Sequence, residues 1–132
     1  MSYILDTDIC IYWLRGREEI KQKIQEVGEE NLGITAITLA ELRYGAYCSA
    51  KADQNLKAID NFVKKVRVLT LNNESADRFG KMKTDLRRKG ELIDDFDILN
   101  ASIALTQGAI FVTNNVDHFR RIPELKIENW LR

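Results

Sequence analysis

Residues 3–14 read Tyr-Ile-Leu-Asp-Thr-Asp-Ile-Cys-Ile-Tyr-Trp-Leu. Tyr3-Ile4-Leu5 is a short apolar run that stops at Asp6, which predicts a buried strand. Ile9 to Leu14 continues as a helix, closed by Gly16. The same alternation runs down the chain. Ile20, Ile24 and Val27 recur at helical spacing up to Gly28. Leu32 to Thr35 predicts a second strand, and Thr38 to Ala50 a helix. Leu56, Ile59, Phe62, Val63 and Val66 share one face of the next helix, and Val66 to Leu71 predicts a third strand. Phe79, Met82 and Leu86 mark a helix ending at Gly90; Asp95 to Gln107 marks another, stopped by Gly108. Ala109 to Val112 reads as a fourth strand, and Lys126-Ile127, after a turn at Pro123, as a short fifth. Strands that are continuous apolar runs between helices predict an α/β sandwich around a central, mostly parallel sheet.

The chain has 132 residues, the length of one domain spanning 1–132. Twenty basic and twenty acidic side chains cancel, which excludes a basic nucleic-acid coat and confines any nucleic-acid contact to a local patch. The longest apolar run, Ile9 to Leu14, is far short of a membrane span, and the first residues carry no leader pattern; a soluble, cytoplasmic protein is expected. Cys10 and Cys48 form no CxxC pair and read as buried helical residues in a reducing compartment. No GxxxxGK[ST] and no GxGxxG occurs, so neither phosphate-binding fingerprint is present. His118 is the only histidine, which excludes a two-histidine ribonuclease. It reads as a partly exposed residue and is expected to be dispensable.

The acids are informative by position. Asp6 follows the first strand and Asp117 the fourth, after Thr113-Asn114-Asn115. Glu41 and Asp97 lie in the first turns of their predicted helices. In an open parallel sheet, ligands bind beyond the carboxyl ends of the strands, where all four would gather. Capping explains some of them: Thr38-x-x-Glu41 fits a capping box, and Asp94 or Asp95 suits the N-terminus of the Asp97 helix. Asp97 has no such role, and the face it shares with Asn100, Ala101 and Ala104 is small enough for a ligand or another backbone to approach. Converging carboxylates need a cation, and oxygen ligands without histidine or thiolate suit Mg²⁺ or Mn²⁺. The chemistry expected is metal-assisted phosphodiester hydrolysis.

Four blocks, YILDTDICIYWL, ITAITLAELRYG, IDDFDILNASIAL and AIFVTNNVDHFRRIPELKIENW, resemble in order and spacing those of PIN-domain ribonucleases, specifically VapC-type toxins of toxin–antitoxin pairs. The resemblance spans Tyr3 to Trp130. It implies a PIN-like three-layer sandwich and an endoribonuclease that uses a metal-activated water. Asp6, Glu41 and Asp97 are implied as metal ligands, with Asp117 in the fourth acidic place because Asn115 stands where many relatives keep an aspartate. Asp8, in place of a frequent asparagine, is implied beside Asp6 as a supporting residue, and Thr113 as a hydroxyl that orients water. The resemblance also implies a cognate antitoxin partner and an RNA substrate.

Arg120 and Arg121 are the best placed basic residues for RNA; Arg78, Lys81, Arg88 and Lys89 read as a solvated helix face, and Arg43 as a partner for an acid. Leu39, Tyr44 and Tyr47 on one helix could serve a homodimer, an antitoxin or the core, and a homodimer is expected. Two other readings stay open. The Asp6-Thr7-Asp8 stretch could act as the nucleophile motif of a haloacid-dehalogenase-like phosphomonoesterase, or the fold could be a non-catalytic binding module.

Overall fold

The computed structural model describes residues 1–131. The first strand, β1 (Tyr3–Leu5), is flanked on both sides, so its side chains are buried alternately on two faces: Ile4 joins one core and Leu5 the other. The chain then builds outwards through helices α1 (Thr7–Leu14) and α2 (Glu18–Val27), strand β2 (Leu32–Thr35), helices α3 (Ala36–Cys48) and α4 (Ala52–Val63), and strand β3 (Arg67–Leu69). It returns past α5 (Asn73–Arg88) and α6 (Asp95–Thr106) to β4 (Ile110–Val112), then α7 (Val116–Phe119) and β5 (Ile127–Glu128). Among the described residues, five strands form one sheet in the order β3-β2-β1-β4-β5, and every pairing is parallel.

One core gathers Leu5, Ile9, Ile20, Ile34, Phe62 and Val112 under α1 to α4; the other gathers Ile4, Leu86, Ile98, Ile103, Phe111 and Phe119 under α5 to α7. That is the three-layer sandwich expected. Because β1 neighbours both β2 and β4, the strand order reverses there, and the crevice beyond the ends of β1 and β4 is the switch point where such sheets hold ligands. No described helix is long and apolar enough to cross a membrane.

Several boundaries differ from the sequence reading. Helix α3 begins at Ala36, because Thr35 and not Thr38 is the cap: the Thr35 hydroxyl accepts a hydrogen bond from Thr38 N–H at 3.0 Å. Glu41 is therefore no capping-box residue. Val66 lies beyond α4, and the third strand is confined to 67–69. Cys10 is fully buried but Cys48 is exposed. The face of Asn100, Ala101 and Ala104 is closed rather than open, packed into the interior at 0–1 % exposure. Gly108 closes α6 at φ +62°, a left-handed turn that lets the chain enter β4 at once.

Candidate active site

Asp6 sits one residue beyond β1 and caps α1. Its Oδ1 accepts from Thr7 N–H at 2.9 Å, and its backbone N–H reaches the Val112 carbonyl of β4 at 2.8 Å. Its Oδ2 accepts from the Thr113 hydroxyl at 2.8 Å, across the switch point. Asp6 is only 7 % exposed. Burial and then the neighbouring Asp8 push its carboxyl up to about 7, against the lowering effect of the Thr113 and Thr7 bonds; Asp97 raises it further.

Asp8, in the first turn of α1, turns to the same crevice. Its Oδ2 accepts from Asn114 N–H at 3.1 Å and its Oδ1 from Ile9 N–H at 2.7 Å. It ties the segment after β4 to α1. Burial raises its carboxyl and Asp97 adds to that, while the hydrogen bonds from Asn114 and Ile9 oppose it. Asp97 lies in the first turn of α6, whose cap is Asp94: the Asp94 carboxylate accepts from Phe96 N–H at 3.2 Å. Burial raises the Asp97 carboxyl as well, and His118 beside it pulls in the other direction.

Asp6, Asp8 and Asp97 therefore stand close enough to feel one another's charge. Glu41 joins them through a hydroxyl: Thr7, next to Asp6, donates to Glu41 Oε1 at 2.8 Å, and the Thr7 and Thr38 hydroxyl oxygens lie 3.2 Å apart. Beneath them a buried pair locks α6 to β2, where the Thr35 hydroxyl donates to Asn100 Oδ1 at 2.6 Å.

Asp117 behaves differently. Its side chain is 86 % exposed and its Oδ1 lies 3.4 Å from Arg120 Nη1, one turn further along α7. It is not among the groups acting on Asp6, Asp8 or Asp97. Arg121 Nη1 donates to the Leu92 carbonyl at 3.2 Å, which leaves its other guanidinium N–H groups for a ligand. Arg43 pairs with Asp60 at 3.1 Å. Tyr44 and Tyr47 face solvent, while Leu39 packs on the core.

The sequence left His118 outside the site. In the fold its Nδ1 lies 3.3 Å from Asp97 Oδ2 and 2.8 Å from the Asn115 amide nitrogen. Asn115 is itself held by its backbone N–H on the Thr113 hydroxyl, at 2.9 Å. Only the four-residue helix α7 brings these groups together, and so short a helix leaves no periodic signal.

The donor set suits a hard divalent cation. It consists of carboxylate oxygens, Asp8 and Asp97 raising the Asp6 carboxyl and Asp97 that of Asp8, with no lysine or arginine bonded to Asp6, Asp8 or Asp97 among the described residues. Among the described residues, no three acidic, histidine or cysteine side chains are grouped closely enough to hold a metal ion as they stand.

A parallel α/β sandwich with carboxylates at its switch point is the layout of a PIN domain. The PIN-domain family model matches residues 3–125, and the chain belongs to that family. It is 36 % identical to ribonuclease VapC2 of Rickettsia felis and 32 % identical to the tRNA(fMet)-specific endonuclease VapC of Salmonella typhimurium, covering 98 % of each chain. The crystal structure of VapBC2 from Rickettsia felis, bound to a DNA fragment from its promoter, superposes with a TM-score of 0.94 at 34 % identity, covering 99 % of this chain and all of that one. Within the PIN family the chain thus falls in the VapC group.

Proposed function

We propose that this chain is the toxin of a type II toxin–antitoxin pair, an endoribonuclease that hydrolyses RNA phosphodiester bonds with Mg²⁺ or Mn²⁺ held by Asp6, Asp8 and Asp97. The observation that carries the reading is the tie of Asp6 and Asp8 to the segment after β4, through the Thr113 hydroxyl and the Asn114 N–H, with Asp97 near enough to raise both carboxyls. A bound divalent cation supplies an acidified water and offsets charge on the phosphoryl group. The residues do the positioning. Thr113 holds Asp6, and the Asn114 backbone holds Asp8. Thr7 turns Glu41 towards the rim, where Glu41 is placed to accept a proton from a water.

Asp6 is a poor candidate for a phosphatase nucleophile. The similar proteins are ribonucleases and a tRNA endonuclease, which favours the nuclease over the phosphatase. RNA as substrate is supported by the ribonuclease and tRNA endonuclease relatives. Arg120 and Arg121, just beyond the exposed end of α7, are the candidate basic contacts for the RNA backbone.

The toxin–antitoxin structures of relatives support a cognate antitoxin. An apolar groove of about 340 Å³ between α1, α3 and α4, lined by Ile11, Leu14, Leu42 and Ile59, has Glu41 at its edge and offers that partner a seat beside the pocket. Tyr44 and Tyr47 face solvent on another side of α3, open to the antitoxin or to the second copy in a homodimer.

The test is cleavage of a total RNA pool, initiator tRNA included, by the purified chain. Cleavage in Mg²⁺ or Mn²⁺ that stops in excess EDTA is expected. Undiminished cleavage in EDTA overturns the metal reading, and a folded, metal-supplied chain that cuts nothing in the pool overturns the nuclease reading.

A further inference from the structure

We infer that His118 is a positioning residue for Asp97, fixing that carboxylate through its ring Nδ1–H while Asn115 fixes the ring. The inference deepens the metal reading of the pocket and rests on it.

A carboxylate only accepts, so the 3.3 Å approach of Nδ1 to Asp97 Oδ2 is attractive when Nδ1 carries the proton. The Asn115 amide, 2.8 Å away, then presents its oxygen to the same N–H, an orientation reached by a flip of the amide plane. One N–H is shared by two acceptors, and both ends of the arrangement are anchored. Asn115 is held by its backbone on Thr113, whose hydroxyl is also the donor to Asp6. Phe119, the next residue after His118, is fully buried against Phe111 of β4, with ring centroids 4.6 Å apart, which sets the rotation of α7. The path Asp6–Thr113–Asn115–His118–Asp97 thus joins the end of β1 to the first turn of α6.

Asp97 needs such a brace more than Asp6 does. Asp6 has two hydrogen-bond donors from its immediate surroundings, whereas the only described donor to Asp97 is His118. With Oδ2 held from one side, Oδ1 remains free for a cation, and the carboxylate does not have to be ordered when the cation arrives. Partners that orient a metal ligand in this way commonly contribute ten- to a hundredfold in affinity.

The experiment measures Mn²⁺ binding to the full chain by calorimetry and electron paramagnetic resonance, without RNA, for the wild type, His118→Ala, His118→Asn and Asp97→Asn. An asparagine places an amide N–H close to the position of Nδ1. The expected result is binding weakened about tenfold in His118→Ala, restored to within about threefold in His118→Asn, and lost in Asp97→Asn. Wild-type affinity in His118→Ala, with Asp97→Asn still impaired, overturns the positioning role and leaves the metal site standing. Equal losses in His118→Ala and His118→Asn overturn the hydrogen-bond account. Unchanged binding in Asp97→Asn overturns the metal reading itself, and this inference with it.

Discussion

The Thr113 hydroxyl donates to Asp6 Oδ2 at 2.8 Å, joining the end of β4 to the end of β1 where the strand order reverses. This bond stabilises the charged form of Asp6, yet burial and Asp8 outweigh it and hold the carboxyl near 7. The folded state therefore binds a proton more tightly than the unfolded chain does. Between the ordinary value of 3.8 and about 7, stability falls as pH rises, and above that range the full penalty, on the order of 4 kcal/mol, is present.

Asp6→Asn removes that penalty. In chelator at pH 8 its thermal midpoint should lie several degrees above wild type, and most of the gain should be gone by pH 5. Mg²⁺ at pH 8 should raise the wild-type midpoint and leave the variant unmoved. The check is a set of melting curves at the two pH values with and without metal; a gain that persists unchanged at pH 5 is incompatible with the burial of this charge.

Asp8 and Asp117 should trade the roles that the sequence gives them. Asp8 faces Asp6 and Asp97, whereas Asp117 faces solvent and Arg120. Asp8→Asn should lower the rate by at least a hundredfold and weaken Mn²⁺ binding, and Asp117→Asn should stay within about threefold, since a difference of 0.6 kcal/mol or so is all an exposed pair contributes. Cleavage rates of the two variants, measured side by side, decide this.

Thr7→Val deletes the hydroxyl that orients Glu41 at 2.8 Å. The rate should fall about tenfold with the fold intact, as expected from one lost hydrogen bond of roughly 1.4 kcal/mol. Thr7→Ser should restore it. If valine and serine variants behave alike, Glu41 does not depend on this contact.

Thr35→Val should destabilise strongly, by about 2–4 kcal/mol, because it leaves without partners both the buried Asn100 Oδ1, whose amide nitrogen already has none, and the Thr38 N–H at the start of α3. Adding Asn100→Leu should recover part of the loss, since an unpaired buried amide costs more than an apolar pair. Denaturant midpoints of the two single variants and the double variant close this cycle.

Much of this architecture is visible in the sequence. The short apolar runs at Tyr3–Leu5, Leu32–Thr35 and Ile110–Val112 are buried on both faces, so nothing polar interrupts them, and their alternation with helices leads to the parallel sheet. Asp6 and Asp97 are legible because a strand end and a helix start fix their positions. The rest of the pocket is not, for reasons of geometry. Two threonines three residues apart can each cap α3, and only packing selects Thr35. On α7, successive residues point about 100° apart. With Phe119 locked into the core and His118 turned to Asp97, Asp117 is left facing outwards although it follows the strand as an active-site acid would. The contact between Asp8 and the Asn114 backbone links residues 106 positions apart, beyond any local pattern.

If these carboxylates support attack by water on the RNA backbone, the ends of the cut RNA carry the signature. The wild-type chain is incubated with RNA in Mg²⁺ and the new termini are identified by end-specific ligation and mass spectrometry, with Asp97→Asn as control. The wild type should leave 5′-phosphate and 3′-hydroxyl ends, and the variant should cut nothing. Ends carrying 2′,3′-cyclic phosphate would contradict attack by water, because the RNA's own 2′-hydroxyl would then be the nucleophile.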